Sequence, residues 1–328
     1  MNQELDKVLY HAVSSYQLLE VMLHRLLFHS ESRAVLLLPD FIVEKYPQWP
    51  LLERRGFFNQ VRLFPYLRIP HGEESQTAAL ALAAYEQLDL PPLESFSKRY
   101  VAGAHFYFSL CLLEKGLPFS FFEDAAGTLS HPQREAGILA ERFPQHAAVA
   151  QGRGLFSGEN PLIREVFCCG DAQSQPVELP VPVWDFSVER ALQALPRSLR
   201  RRVVRFFLPH SLRTRADIIL LTQQFSNLGM LEEGQQLALY RQLGEGPLAG
   251  KRLLVKRHPD DPLEYRQVFP GAEILSQPFP AELLPWAFRG RRPRQVWAFG
   301  SAALANLGES FSVTTVEPAA CPPLVEQA

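Results

Sequence analysis

The chain has 328 residues, 33 basic and 35 acidic side chains, and a formal net charge of −2. That length exceeds what one hydrophobic core usually serves, so two domains are expected. Hydrophobic residues make up 47% of the chain, which excludes wholesale disorder and fibrous repeats, and the near-neutral charge argues against a protein that coats nucleic acid.

The 27 prolines are about 8% of the chain, against a usual ~5%, and predict short helices and strands. Cys111, Cys168, Cys169 and Cys321 form no CxxC pair and no disulfide framework, the pattern of a reduced, cytoplasmic chain. The opening MNQELDKVLYH carries acids and lacks the apolar run of a signal peptide. The most apolar stretch, 101–113, contains His105 and falls short of the ~20 residues that cross a membrane.

Residues 7–12 (KVLYHA) read as a first strand. Ser14 and Ser15 can cap a helix over about 16–27, in which Leu18, Leu19, Met22 and Leu26 recur near helical spacing. Residues 33–38 (RAVLLL) suit a parallel strand covered on both faces. A short strand at 60–64, a helix at 77–88, a helix at 100–115 stopped by Gly116, and a strand at 118–122 complete an alternating pattern. That alternation predicts an α/β layer with a parallel sheet. Residues 168–184 carry three prolines and read as a connector, followed by seven arginines and no acid over 197–215. The rhythm then restarts, with strands at 217–222, 252–256, 273–275 and 295–299 and helices at 231–243 and from 302.

Several familiar motifs are missing. GPLAGKR (246–252) looks like a phosphate loop, but its glycine spacing differs and Arg252 stands where Ser or Thr would hold magnesium. GxSxG, HExxH and GxGxxG do not occur, and the nine histidines lack metal-ligand spacing, so no metal is expected.

Candidate chemistry gathers at strand ends, where ligands bind in parallel sheets. After RLLVK comes Lys256-Arg257-His258-Pro259-Asp260-Asp261. Pro259 fixes the backbone after His258 and biases His258 away from helix. An imidazole pinned beside cations can donate to a phosphate oxygen or protonate a leaving phosphate; the alternative is a plain turn. Glu123 and Asp124 end the strand FSFF before Ala125-Ala126-Gly127. One of them can serve as a base, or Asp124 caps the next segment. Gly300 and Ser301 follow the strand QVWAF, and their turn can attract an anion or merely start a helix. Thr222 and Gln223 end DIILL, where they can hold part of a nucleotide or form an ordinary polar loop. The arginine run can meet anionic lipid or stay solvated.

In order and together, these segments resemble bacterial glycosyltransferases of the sialyltransferase type. The resemblance is to glycosyltransferase family 52, the lipooligosaccharide sialyltransferases, with the related polysialyltransferases behind it. YHAVSSYQLLEVM (10–22) resembles the family's opening strand, polar turn and helix, and FFEDAAG resembles its acidic motif. LLTQQFSNLGMLEEGQQLALY (220–240) resembles the first strand and helix of its donor domain, LLVKRHPDD its His-Pro motif, and FGSAA its serine motif.

The resemblance implies the GT-B arrangement, two Rossmann-like domains with parallel sheets facing a cleft. The expected boundaries are an acceptor domain over 1–167, a linker over 168–212 and a donor domain over 213–328. It implies inverting transfer from CMP-sialic acid to a bacterial surface glycan or glycolipid, with no metal and no other cofactor. Glu123 is the expected base, or Asp124, since an extra residue separates the acids from Gly127. His258, with Lys256 and Ser301, is expected to hold or protonate the CMP phosphate. Thr222, Gln223, Pro259 and Gly300 complete the expected donor site. Partners are then the nucleotide sugar and the acceptor, not nucleic acid. A cytoplasmic location, peripheral contact with the inner membrane and a homodimer are compatible with it. A transferase using another nucleotide sugar such as a UDP-hexose, a non-catalytic glycan-assembly subunit, and a polyol-phosphate transferase stay open as alternatives.

Overall fold

The computed structural model describes residues 6–70, 74–102, 107–123, 136–137, 139–141, 143–155, 157–168 and 179–317. The chain divides into two compact units, Met1–Phe206 and Phe207–Ala328.

The first unit is built on seven parallel strands: β1 (Lys7–His11), β2 (Arg33–Pro39), β3 (Gln60–Phe64), β4 (Lys98–Ala102), β5 (Phe119–Phe122), β6 (Ile163–Cys168) and β7 (Val183–Asp185). Their order is β3-β2-β1-β4-β5-β6-β7. The chain builds outward from β1, then crosses back to lay β4 on its other side, so the order reverses between β1 and β4. Leu9, Val35, Leu37, Val101 and Phe121 share one buried cluster with Ala78, Ala81, Phe108 and Leu112 of the helices Glu74–Glu86 and Tyr107–Glu114. Tyr10 turns to the other face and meets His24 of the helix Ser15–Phe28. Helices on both faces explain why β2 reads as an unbroken apolar run.

Ser14 starts that helix with a reciprocal cap. Its hydroxyl accepts from the Gln17 N–H at 3.2 Å, and the Gln17 side chain accepts from the Ser14 N–H at 3.1 Å.

The second unit repeats the plan with β8 (Ile218–Leu221), β9 (Leu253–Lys256), β10 (Glu273–Leu275), β11 (Gln295–Ala298) and β12 (Ser312–Thr315), all parallel, in the order β10-β9-β8-β11-β12. Here the reversal falls between β8 and β11. Ile218, Leu220, Leu253 and Val255 pack with Tyr240 and Leu243 of the helix Glu233–Glu245 and with Tyr265 and Phe269. Side chains alternate along a strand, so Ile219, Leu221, Leu254 and Lys256 turn to the opposite face.

Several segments differ from expectation, the strand β6 among them. Residues 100–102 were expected to open a helix, but they form β4, with the helix at Tyr107–Glu114. A continuous apolar run conceals a strand-to-helix boundary because periodicity does not separate the two there. The stretch expected as a linker, 168–212, contributes β7 to the first sheet and the helices Val188–Ala194 and Arg197–Phe207. Arg202 of the latter lies 5.2 Å from the Phe57 ring centroid and donates to the Arg55 carbonyl, while Val203 and Phe206 are buried. At least one guanidinium of the arginine run is therefore engaged by the first unit rather than wholly solvated. The edge strand β12 was not anticipated. No helix among the described residues is long and apolar enough to cross a membrane.

Candidate functional site

The carboxyl ends of β8, β9 and β11 bring together most residues singled out in the second unit. Thr222 follows β8, His258 and Pro259 follow β9, and Gly300 and Ser301 follow β11. Register pairing of Leu221 with both Lys256 and Ala298 sets these three ends side by side.

The segment His258-Pro259-Asp260-Asp261 is a tight turn. The Asp261 N–H donates to the His258 carbonyl at 3.1 Å, with Pro259 in the second position that its fixed φ favours. Two further bonds hold the histidine. Its backbone N–H donates to the Thr222 hydroxyl at 3.0 Å, and its Nδ1 accepts from the Asp260 N–H at 3.1 Å. A neutral imidazole has one donor and one acceptor nitrogen. With Nδ1 accepting, the proton belongs on Nε2. The His258 side chain is 32% exposed, so the ring is held at its root while part of it meets solvent.

Beneath the turn lies a closed polar network. Asp261 is 2% exposed and Gln236 wholly buried. The Asp261 Oδ2 accepts from the Thr222 hydroxyl at 2.6 Å and the Tyr265 hydroxyl at 2.7 Å. Its Oδ1 accepts from the Leu263 N–H at 3.2 Å and Gln236 Nε2 at 3.3 Å. Gln236 also donates to the Gln223 carbonyl and the Tyr265 hydroxyl, each at 2.8 Å, and accepts from the Ser226 N–H at 2.7 Å. The Gln223 N–H donates to the Tyr240 hydroxyl at 2.7 Å. Burial pushes the Tyr240 hydroxyl well above the usual phenol range, so it stays protonated. This network fixes the loop after β8 against the turn after β9.

Gly300 has φ +43° and exposes its Cα side to open space. A side chain there is strained by the backbone rather than by neighbours. Ser301 is half-buried, and the helix after it spans only Ala303–Leu307. Such a short helix adds little dipole, so any anion contact at this turn depends on local N–H groups and the Ser301 hydroxyl.

Lys256 departs from expectation. It pairs with Leu221 and shares that face of the sheet, opposite Thr222. It is 3% exposed, and its Nζ stands 4.4 Å from the Phe279 ring centroid. Burial lowers its pKa to about 8, with the Glu282 carboxylate acting against that shift. Arg257, in contrast, is drawn into the turn, donating to the Asp261 carbonyl at 2.7 Å and to Glu264 at 2.6 Å.

In the first unit, Glu123 follows β5, is 3% exposed, and donates its N–H to the Phe167 carbonyl at 2.8 Å. Asp124 lies outside the described residues. Sequence reasoning missed His11, buried at the carboxyl end of β1 beside the strand reversal. The Tyr66 hydroxyl is 2.8 Å from its Nε2, and burial lowers its pKa to about 3, so the ring is neutral. Gln236, Tyr240 and Tyr265 were also missed, and Asp261, though part of the His-Pro segment, was given no role. For Gln236 and Tyr240 the sequence signal was the polar residues within the otherwise amphipathic 231–243 pattern. Among the described residues, no cluster of three or more His, Cys, Asp or Glu is placed to hold a metal.

No family model matches the chain. An uncharacterized protein of Haemophilus influenzae is 32% identical over 102 residues, so the match spans 30% of this chain and only a third of that relative's length, 33%. Among solved structures, the chain is similar to a UDP-glucosyltransferase from Polygonum tinctorium (14% identity, TM-score 0.55, 96% of this chain and 80% of that one). It is also similar to UDP-GlcNAc 2-epimerase from Neisseria meningitidis bound to UDP-GlcNAc (15%, TM-score 0.52, 96% and 85%). A third is S. aureus MnaA with UDP (9%, TM-score 0.54, 95% and 79%). The fold is α/β with parallel sheets, as in GT-B glycosyltransferases. A transferase and an epimerase share it, so the fold alone does not name the reaction.

Proposed function

We propose that this chain is a nucleotide-sugar-dependent glycosyltransferase whose donor phosphate is held at the carboxyl edge of the second sheet. The observation that carries this reading is His258, a part-exposed ring after β9 whose backbone N–H donates to the Thr222 hydroxyl and whose Nδ1 accepts from the Asp260 N–H, which leaves the proton of the neutral ring on Nε2. In the transfer, the acceptor oxygen bonds to the anomeric carbon and the bond from that carbon to the phosphate oxygen breaks. The hydroxyl proton passes to a carboxylate of the acidic motif, Glu123 or Asp124. The nucleotide leaves with its new negative charge met by Nε2–H of His258 and the Ser301 hydroxyl. Gln223 and the Gly300 turn line the donor site, with Thr222 buried behind His258. No metal takes part in this scheme.

The ordered motifs support CMP-sialic acid as donor and a surface glycan or glycolipid as acceptor. A second reading, a UDP-sugar donor, is favoured by the UDP ligands of the similar solved structures. A ligand that binds only the native state raises the melting temperature. Stabilisation of the chain by CMP, worth ~2.7 kcal/mol at about a hundredfold its dissociation constant, and none by UDP at the same concentration is the expected result. Stabilisation by UDP alone selects the second reading. Stabilisation by neither rejects both.

A further inference from the structure

We infer that Asp261 and Thr222 are positioning residues that fix the orientation and tautomer of the His258 ring. This inference rests on the transferase reading for its effect on catalysis, but its structural content stands apart from it.

The geometry runs in one direction. The buried Asp261 carboxylate can only accept. The Thr222 hydroxyl at 2.6 Å must therefore spend its single proton on Oδ2. That leaves the Thr222 oxygen as an acceptor, and the group placed to use it is the His258 N–H at 3.0 Å. Asp261 also closes the turn by donating its N–H to the His258 carbonyl, and its own carbonyl holds Arg257. The root of His258 is thus fixed to β8 through Thr222 and to its own turn through Asp261. Only in that turn does the Asp260 N–H meet Nδ1 and leave the proton on Nε2. The Tyr265 hydroxyl and Gln236 complete the coordination of the carboxylate, so its position is set on several sides. Asp261 need not touch a nucleotide to act; it acts through His258.

Three substitutions at two positions separate this role from general support of the fold. Thr222→Val keeps the shape and removes the hydroxyl, whereas Thr222→Ser keeps the hydroxyl. Asp261→Asn keeps the volume and turns a donor toward groups that now donate. The tautomer of His258 is read from ring 15N shifts of the full-length free protein, without any substrate. The wild type and Thr222→Ser are expected to show a single Nε2–H form. Thr222→Val and Asp261→Asn are expected to show a mixture of the two tautomers. Transfer by Thr222→Val should fall about 10- to 100-fold in kcat with KM for the nucleotide sugar within about twofold. In a His258→Ala background, Thr222→Val should cost no further activity.

A single Nε2–H form in all four proteins overturns the inference, as does an undiminished loss on adding Thr222→Val to His258→Ala. Should Asp261→Asn fail to fold, the Thr222 pair decides alone. The expected tautomer pattern in a protein that turns over no nucleotide sugar upholds the positioning role and rejects the transferase reading.

Discussion

On the transferase reading proposed above, His258→Ala is expected to lower sugar transfer by on the order of 10²–10³ while leaving the melting temperature nearly unchanged. The size follows from removing one donor aimed at charge that develops on a leaving phosphate, or one proton donor to it. The small thermal effect follows from placement. The ring is 32% exposed, and alanine keeps the two bonds made by the His258 backbone, losing only the Asp260 N–H contact to Nδ1. His258→Gln divides the two chemical roles, because its amide can donate to phosphate but cannot give up a proton. Recovery of most activity in His258→Gln assigns a hydrogen-bonding role, and activity no better than alanine assigns proton transfer. Wild-type rates in His258→Ala, measured as initial rates of release of the nucleotide product, remove the residue from the mechanism.

The second large effect concerns stability and pH. The Lys256 pKa is about 8 in the folded chain, against an ordinary lysine value of 10.5 in the unfolded one. Below pH 8 both states carry the proton, and the folded state bears the cost of a buried charge. Between pH 8 and 10.5 the unfolded chain binds more protons than the folded one, so this residue's contribution to stability rises with pH. A shift of that size corresponds to roughly 3 kcal/mol. The ring of Phe279 and the carboxylate of Glu282 offset the cost only in part. Chemical denaturation of wild type and Lys256→Met at several pH values isolates the effect from other titrating groups. The stability of wild type relative to the variant is expected to grow by roughly 2–3 kcal/mol from pH 8 to 10. A difference that does not change with pH contradicts the buried, depressed state of this lysine.

The parts of this architecture that were legible beforehand are those in which one strand announces itself. RAVLLL, IILL and LLVK lie between neighbours on both sides, and all their residues but Arg33 are buried, which makes them nearly continuous apolar runs. The strands that escaped notice depart from that pattern in two ways: β7 and β12 are edges, and β6, though paired on both sides, is interrupted by polar residues. β12 is an edge strand of sequence SVTT with largely exposed side chains, and β7 is a three-residue edge in which Trp184 is 54% exposed. β6 was hidden by Arg164 and Glu165 between its apolar residues. Pairing with a neighbour, not hydrophobicity, makes each of these a strand.

The site divides in the same way. His258 was visible because a proline follows it and a strand precedes it. Its support was not, because Thr222, Gln236 and Asp261 meet only after the sheet and the helix Glu233–Glu245 have assembled. Lys256 shows the reverse error. Adjacent to His258 in sequence, it reads as a partner for the same ligand, yet strand alternation turns it to the opposite face of the sheet.

A crystal structure with bound nucleotide, CMP or UDP as the melting experiment selects, tests the central claim most directly. The account predicts the nucleotide at the carboxyl ends of β8, β9 and β11, with a phosphate oxygen within about 3 Å of His258 Nε2, a normal hydrogen-bond distance, and Ser301 also in contact. A nucleotide bound elsewhere on the chain, or seated at that edge with its phosphate turned away from His258, contradicts it.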